Sequence, residues 1–428
     1  MNLRFSWSMF VWAFAACADE GMWLVNNFPR DAVKKQHGFA VTDAFLERIR
    51  SASVRLNSGG SGSFVSARGL LFTNHHVGSE CIQKVSDAQH DYIARGFYAA
   101  SEEQEKKCPA LEINVLVQID DATAKIKSAE KPGMTAAEIG KARREAMSRV
   151  EKECTTSTGN RCDVVTLYSG GRYDLYQYKK YTDVRLVMSP EFEVAAFGGD
   201  PDNFTYPRYC LDVAFFRAYE NGRPLATPNH FRWSRAGVRE GELVFVPGNP
   251  GTTGRLNTVA QLEYFRDHSY PLLHRRLASM IRALKAYGAV DAEHKRVAGD
   301  SLLSAENSYK AYTGFLGGLR DPQLMSRKRD EEQTLRARVE ADPEQRKQYG
   351  AVWDQVAAAY RQVREYSWAY NLSTPMFSDL FNIARHVLRL PEEMAKPSDQ
   401  RLREYNDAAL ESLEREIYSA APIADSLE

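Results

Sequence analysis

Up to about residue 265 the chain alternates short apolar runs with turns marked by glycine and proline, and beyond about residue 271 the apolar positions recur at helical spacing. In the first part, Val54–Leu56, Ser63–Ser66, Leu70–Thr73, Ile113–Ile119, Val164–Tyr168, Tyr181–Met188, Leu211–Tyr219 and Leu243–Val246 read as strands. One stretch rich in Ala, Lys, Arg and Glu, about residues 122–153, interrupts them as a helical insertion. Pro132-Gly133 is its break and Thr135 its candidate N-cap. In the second part, Val352, Val356, Val363 and Tyr366 fall near one helical face with Arg361, Arg364 and Glu365 between them. Pro343, Pro375, Pro391, Pro397 and Pro422 punctuate these helices. The pattern predicts an α+β chain: a strand-rich domain over 19–270, then a helical domain over 271–428.

The 428 residues suffice for two or three domains, and 56 basic residues balance 56 acidic ones. That balance gives no footprint for nucleic acid or for an anionic membrane. Arg4, the apolar run Met9–Ala16 and the small residues Ala16-Cys17-Ala18 form a secretory signal peptide over 1–18, with Asp19 as the mature start. Phe14-Ala15-Ala16-Cys17 is the alternative, a lipoprotein box. The run is shorter than the roughly 20 residues that span a bilayer, and no later segment is apolar enough for a membrane span.

Removal of the signal leaves five cysteines, Cys81, Cys108, Cys154, Cys162 and Cys210, in a compartment that favours disulfides. Cys154 and Cys162 bracket a short polar loop, which suits a local bridge. Cys81 with Cys108 is the next pairing, and spacing alone leaves connectivity open. No C-x-x-C pair and no histidine cluster with ligand spacing is present, so neither a metal nor another cofactor is expected.

The chemistry concentrates around Thr73-Asn74-His75-His76-Val77, which follows the glycine-serine hairpin Gly60–Val65 and the run Gly69–Phe72. A serine hydroxyl needs a neutral imidazole to take its proton, and the imidazole needs a carboxylate to fix its tautomer. His76 is the candidate base. Adjacent side chains leaving a strand point apart, so His75 faces away from the cleft. Asp212 heads the apolar run Val213-Ala214-Phe215-Phe216, where a carboxylate needs a partner such as an imidazolium. The loop Phe197–Asp212 is dense in glycine, proline, aromatic and polar residues, a composition common in functional loops. Val244–Arg255 reads as a strand running into a tight turn; it contains no serine and no phosphate-binding pattern.

Taken in order, Asp19-Glu20-Gly21-Met22-Trp23, Gly60–Val65, Thr73–His76, Asp183–Val187, Phe197–Asp212 and Gly248-Asn249-Pro250-Gly251 resemble the bacterial dipeptidyl-peptidase 7 and dipeptidyl-peptidase 11 family of serine peptidases. The resemblance extends to about Arg320. It implies a chymotrypsin-like double β-barrel carrying an inserted helical domain. It also implies removal of dipeptides from peptides with a free N-terminus, by periplasmic or cell-surface homodimers of Gram-negative bacteria. Position by position, His76 is the base and Asp212 its orienting carboxylate, while Asn203, Phe204 and Asn307 hold the substrate's N-terminal residue. Phe204 and Tyr206 lie where the family often has tryptophan nearby, and Val77 stands where it commonly has cysteine.

The family's nucleophile lies in a glycine-asparagine-serine-glycine-serine turn after the helical domain, and that turn is absent from these residues. The second barrel is therefore expected to be largely missing from this chain, the helical domain to be truncated, and the stand-alone chain to be inactive. The alternatives are a catalytically incomplete peptide-binding homologue and an endopeptidase of the HtrA type.

Overall fold

The computed structural model describes residues 21–87, 89–196, 209–251, 253–372 and 379–418. The signal-peptide expectation and the last residues of the chain lie outside them. Residues up to Glu47 form one compact unit and residues from Arg48 onward another. In the first, the helix Arg30–His37 ends on Gly38 in the left-handed region (φ +69°), and Arg30 pairs with Asp43 at 2.5 Å.

The second unit is built on one antiparallel sheet of eleven strands. They are β1 (Ser53–Leu56), β2 (Ser61–Phe64), β3 (Leu70–Thr73), β4 (Phe97–Tyr98), β5 (Lys106–Lys107), β6 (Ile113–Asp121), β7 (Arg161–Leu167), β8 (Arg172–Tyr181), β9 (Asp183–Ser189), β10 (Ala214–Glu220) and β11 (Arg223–Pro224). The spatial order is β4-β9-β10-β3-β2-β1-β6-β8-β7, with β5 on β9 and β11 on β10. Alternation in β1 to β3 sends Val54, Leu56, Phe64 and Leu71 inward, where Ile113, Leu186 and Phe216 complete the core. β8 ends at Tyr181 and β9 begins at Asp183, so the two are nearly continuous.

The strand reading needs four corrections. β2 is Ser61–Phe64, two residues earlier than Ser63–Ser66. Tyr181 belongs to β8, a ten-residue strand that the hydrophobic pattern did not reveal. β10 begins at Ala214, not Leu211. Leu243–Val246 forms no strand. Val246 is 95% exposed, and no strand among the described residues pairs with the segment.

The helical interruption comprises Thr123–Lys127 and Ala136–Thr158. Thr135 and Glu138 form a reciprocal capping box at the start of the longer helix. That helix runs past residue 153, so Cys154 is helical and only the residues from Gly159 onward turn towards Cys162. It packs Ala146 and Val150 against Val164 and Tyr173 of β7 and β8.

Beyond Thr258 most of the described residues are helical. Tyr270–Gly288 and Ala292–Arg320 pack through Leu277, Leu284, Ala298 and Ala305. Asp321-Pro322 and Asp342-Pro343 each start a helix, with Asp as the N-cap acceptor and Pro at the first position, where no backbone N–H is required. In the helix Val352–Leu372 a half-buried stripe runs through Trp353, Val356, Tyr360 and Val363 to the buried Ser367. Val352 and Tyr366 lie on its exposed side, against the sequence reading.

The last described helix, Asp407–Ile417, returns to the sheet. Arg415 Nη1 donates to the fully buried Glu112 at 2.8 Å, Ser412 Oγ donates to the same carboxylate at 3.0 Å, and Lys180 of β8 pairs with Glu411. Just ahead of that helix, Asn406 donates to Glu151 at 3.2 Å.

Candidate active site

The ladder between β3 and β10 sets the site. Ala214 lies opposite Thr73, so the residues leaving β3 and those entering β10 meet at one end of the sheet. His75 and His76 are the first residues of the helix His75–Lys84, with Asn74 as N-cap. Successive helical residues point about 100° apart, which separates the two imidazoles as a strand exit would. His75 is 2% exposed, whereas the His76 side chain is 48% exposed.

Asp212 acts as the cap of this helix from a distant part of the chain. The His76 backbone N–H, one of the orphan donors of a helix start, donates to Asp212 Oδ1 at 3.1 Å. The His76 ring Nδ1 meets Asp212 Oδ2 at 2.8 Å. Asn74 Nδ2 donates to the same Oδ2 at 3.2 Å and to the Asp212 carbonyl at 3.3 Å. The Asn74 side chain caps nothing in its own helix and is spent on Asp212 instead. Three donors and the positive end of the helix dipole thus complement the Asp212 charge. A carboxylate only accepts, so the proton of the pair sits on His76 Nδ1 and Nε2 is left as an acceptor on a half-exposed ring.

Close packing fixes the helix that carries His76. A Cβ on Gly60 would lie 2.2 Å from Val77 Cγ1, and one on Gly78 would lie 2.7 Å from Phe216 Cζ, so both approaches require glycine. The Cys81–Cys108 disulfide ties the other end of the helix to the segment leading into β6, with both residues buried. Gln83 Nε2 donates to the Arg296 carbonyl at 3.3 Å, linking the same helix to Ala292–Arg320. On the hairpin side, Thr73 Oγ1 donates to the Ser61 carbonyl at 2.7 Å and Asn249 N–H donates to Ser61 Oγ at 2.6 Å. The Gly248-Asn249 turn is thereby held against β2.

His75 differs from His76 in chemistry as well as direction. Burial, the largest influence, pushes it down to about 4; the nearby Asp212 charge opposes this and His76 adds to it. Its Nε2 is buried without a hydrogen-bond partner among the described residues.

The structure therefore brings His76 and Asp212 together. It joins Cys81 to Cys108 and Cys154 to Cys162 as disulfides. Asn203 and Phe204 lie outside the described residues. Asn307 is half-buried on the helix Ala292–Arg320, three turns beyond Arg296, about 17 Å along the axis. Sequence reasoning missed Asn74 as a partner of Asp212. The available signal was an Asn placed between a strand end and the histidine pair, at an N-cap position. No helix of the described residues is long and apolar enough to cross a membrane, and no group of His, Cys, Asp and Glu among them could hold a metal.

The sequence model of the family described as Peptidase S46 matches residues 18–428. The Asp/Glu-specific dipeptidyl-peptidase of Shewanella putrefaciens is 29% identical over 420 residues, covering 92% of this chain and 56% of that protein. The dipeptidyl-peptidase 7 of Porphyromonas endodontalis is 30% identical over 364 residues, covering 81% of this chain and 44% of that protein. The crystal structure of Porphyromonas endodontalis DPP11 in complex with the dipeptide Arg-Glu superposes with a TM-score of 0.73 at 23% identity, over 93% of this chain and 60% of that one. The chain thus spans about half the length of the curated relatives it matches.

Proposed function

The chain belongs to the Peptidase S46 family, and from that premise we propose that it is the base-bearing part of a serine dipeptidyl-peptidase that releases dipeptides from peptides with a free N-terminus. The observation that carries this reading is the 2.8 Å contact between His76 Nδ1 and Asp212 Oδ2, which leaves Nε2 able to accept a proton. In the reaction, Nε2 takes the proton of an attacking serine hydroxyl and later returns it to the leaving amine, while Asp212 holds the tautomer and stabilises the imidazolium. Asn203, Phe204 and Asn307 hold the substrate's N-terminal residue, on the strength of the family resemblance.

Strand pairing supports a chymotrypsin-like barrel. With β8 and β9 taken as one bent strand, the ladders lead from β1 through β2, β3, β10, β9–β8 and β6 back to β1, a closed circuit of six strands. The base follows the third of these strands in chain order and its carboxylate precedes the last. The serine and a second barrel belong, on this reading, to polypeptide beyond these 428 residues, and the chain alone is inactive. The two disulfides fit a periplasmic or cell-surface setting, and a homodimer follows from the resemblance.

The test is the polypeptide read through past Glu428, offered one peptide with a free N-terminus and the same peptide N-acetylated. The reading predicts dipeptides from the first only, lost in His76→Ala. Cleavage within the acetylated peptide would instead indicate an endopeptidase.

A further inference from the structure

The helices Tyr270–Gly288 and Ala292–Arg320 frame a cleft of about 440 Å³ that the dyad does not use. His274 and Arg275 line it from one helix, Thr313 and Arg320 from the other. Thr313, Leu316 and Arg320 recur at three and four residues, so helical geometry puts them on one face. Gly317 adds bare backbone to the wall.

Among the described residues neither Arg275 nor Arg320 has an ion-pair partner; Arg275 lies over the Trp368 ring at 5.7 Å. His274 is fixed in place. Thr313 Oγ1 donates its one proton to the Tyr309 carbonyl at 2.8 Å, so it accepts from His274 Nε2–H at 3.0 Å. The imidazole also stacks on Tyr309 with ring centres 4.1 Å apart. Behind the cleft, Tyr270 packs against Tyr312 at 5.1 Å and Phe315 at 5.7 Å, which makes the walls pre-formed.

Two guanidinium groups with no ion-pair partner among the described residues match a carboxylate, which a planar guanidinium grips through paired N–H donors; the Thr313 hydroxyl and His274 Nε2–H are already engaged and hold the wall in place. We propose that this cleft binds a carboxylate of a peptide, either its C-terminus or an acidic side chain. The choice of a peptide as the carrier rests on the peptidase reading.

Calorimetric titration of the 428-residue chain tests the proposal with three N-acetylated peptides, none of which can engage a site that needs a free amine. One is acetyl-Ala-Phe-Ala with a free carboxyl end. The second is acetyl-Ala-Glu-Phe-Ala amide, and the third is its neutral Gln counterpart. At least one of the acidic peptides should bind about tenfold or more tightly than the neutral one, and the one that does identifies the carboxylate's source. Arg275→Gln and Arg320→Gln, checked for wild-type melting, should each weaken that binding about fivefold or more. Equal affinity for all three peptides, no binding of either acid, or unchanged affinity in both folded variants would overturn the proposal. Failure of the peptidase reading would show separately, as absent dipeptide release with the carboxylate preference intact.

Discussion

Thr73 and Ala214 face each other across the β3–β10 ladder, and this register is what brings His76 within 2.8 Å of Asp212 although 136 residues separate them. The sheet, not the loops, aligns the pair. A one-residue slip of β10 would turn its inward side chains outward and withdraw the carboxylate from the helix start it caps.

Replacing Asp212 by Asn removes the acceptor that keeps the His76 proton on Nδ1. In the catalytically complete polypeptide kcat should fall about 10³–10⁴-fold with a small change in KM. In the 428-residue chain, nitrogen NMR of His76 should show the wild-type Nδ1–H tautomer and a mixture in Asp212→Asn. An undiminished kcat would remove Asp212 from the mechanism.

His75 makes stability depend on pH. The unfolded imidazole titrates at 6.5 and the folded one at about 4. Below 6.5 the unfolded chain takes up a proton that the native state refuses, so His75 destabilises the fold progressively as pH falls from 6.5 to 4. Above 6.5 both states are neutral and the effect vanishes. The shift corresponds to about 3 kcal/mol across that window. Urea unfolding at several pH values should show this slope reduced in His75→Gln, whatever the variant's absolute stability; identical slopes would contradict it.

Arg415 neutralises Glu112, whose side chain is 1% exposed. Arg415→Ala leaves that carboxylate buried without its cation and should cost about 3–5 kcal/mol in urea unfolding. Adding Glu112→Gln should recover part of the loss. A loss below about 1 kcal/mol would mean that water reaches Glu112 and that the last helix is loosely docked.

The two disulfides differ in the chain length they close, 27 residues for Cys81–Cys108 and 8 for Cys154–Cys162. Loop-closure entropy assigns them about 3.5 and 2.5 kcal/mol. Paired Cys→Ala variants should follow that order in denaturant midpoint. The first should also loosen the His76 helix, read as faster amide exchange at its backbone. A reversed order would show that native packing outweighs chain entropy here.

Much of this was legible in the sequence. The glycine-serine hairpin and the histidine pair marked the candidate base, because a strand end followed by a polar residue projects a side chain from a sheet edge. Asp212 was legible as a carboxylate at the head of an apolar run. β8 was not, since Tyr173 and Tyr178 are both buried although they lie on opposite faces, which erases the two-residue period. Leu243–Val246 carries a strand-like pattern but has no pairing strand among the described residues, and only pairing makes a strand. Asn74 was hidden because its role depends on a residue 138 positions away. The docking of Asp407–Ile417 on the sheet was equally hidden, since its polar contacts leave no periodic trace.

The central claim is that His76 and Asp212 form a catalytic pair whose serine lies outside these 428 residues. Fluorophosphonate labelling with peptide mapping, run in parallel on this chain and on the polypeptide read through past Glu428, tests it most directly. The account predicts no labelled serine in the chain and one in the longer polypeptide, beyond residue 428, with labelling about 10³-fold slower or more in His76→Ala. Stoichiometric labelling of a serine within residues 1–428, dependent on His76, would contradict it.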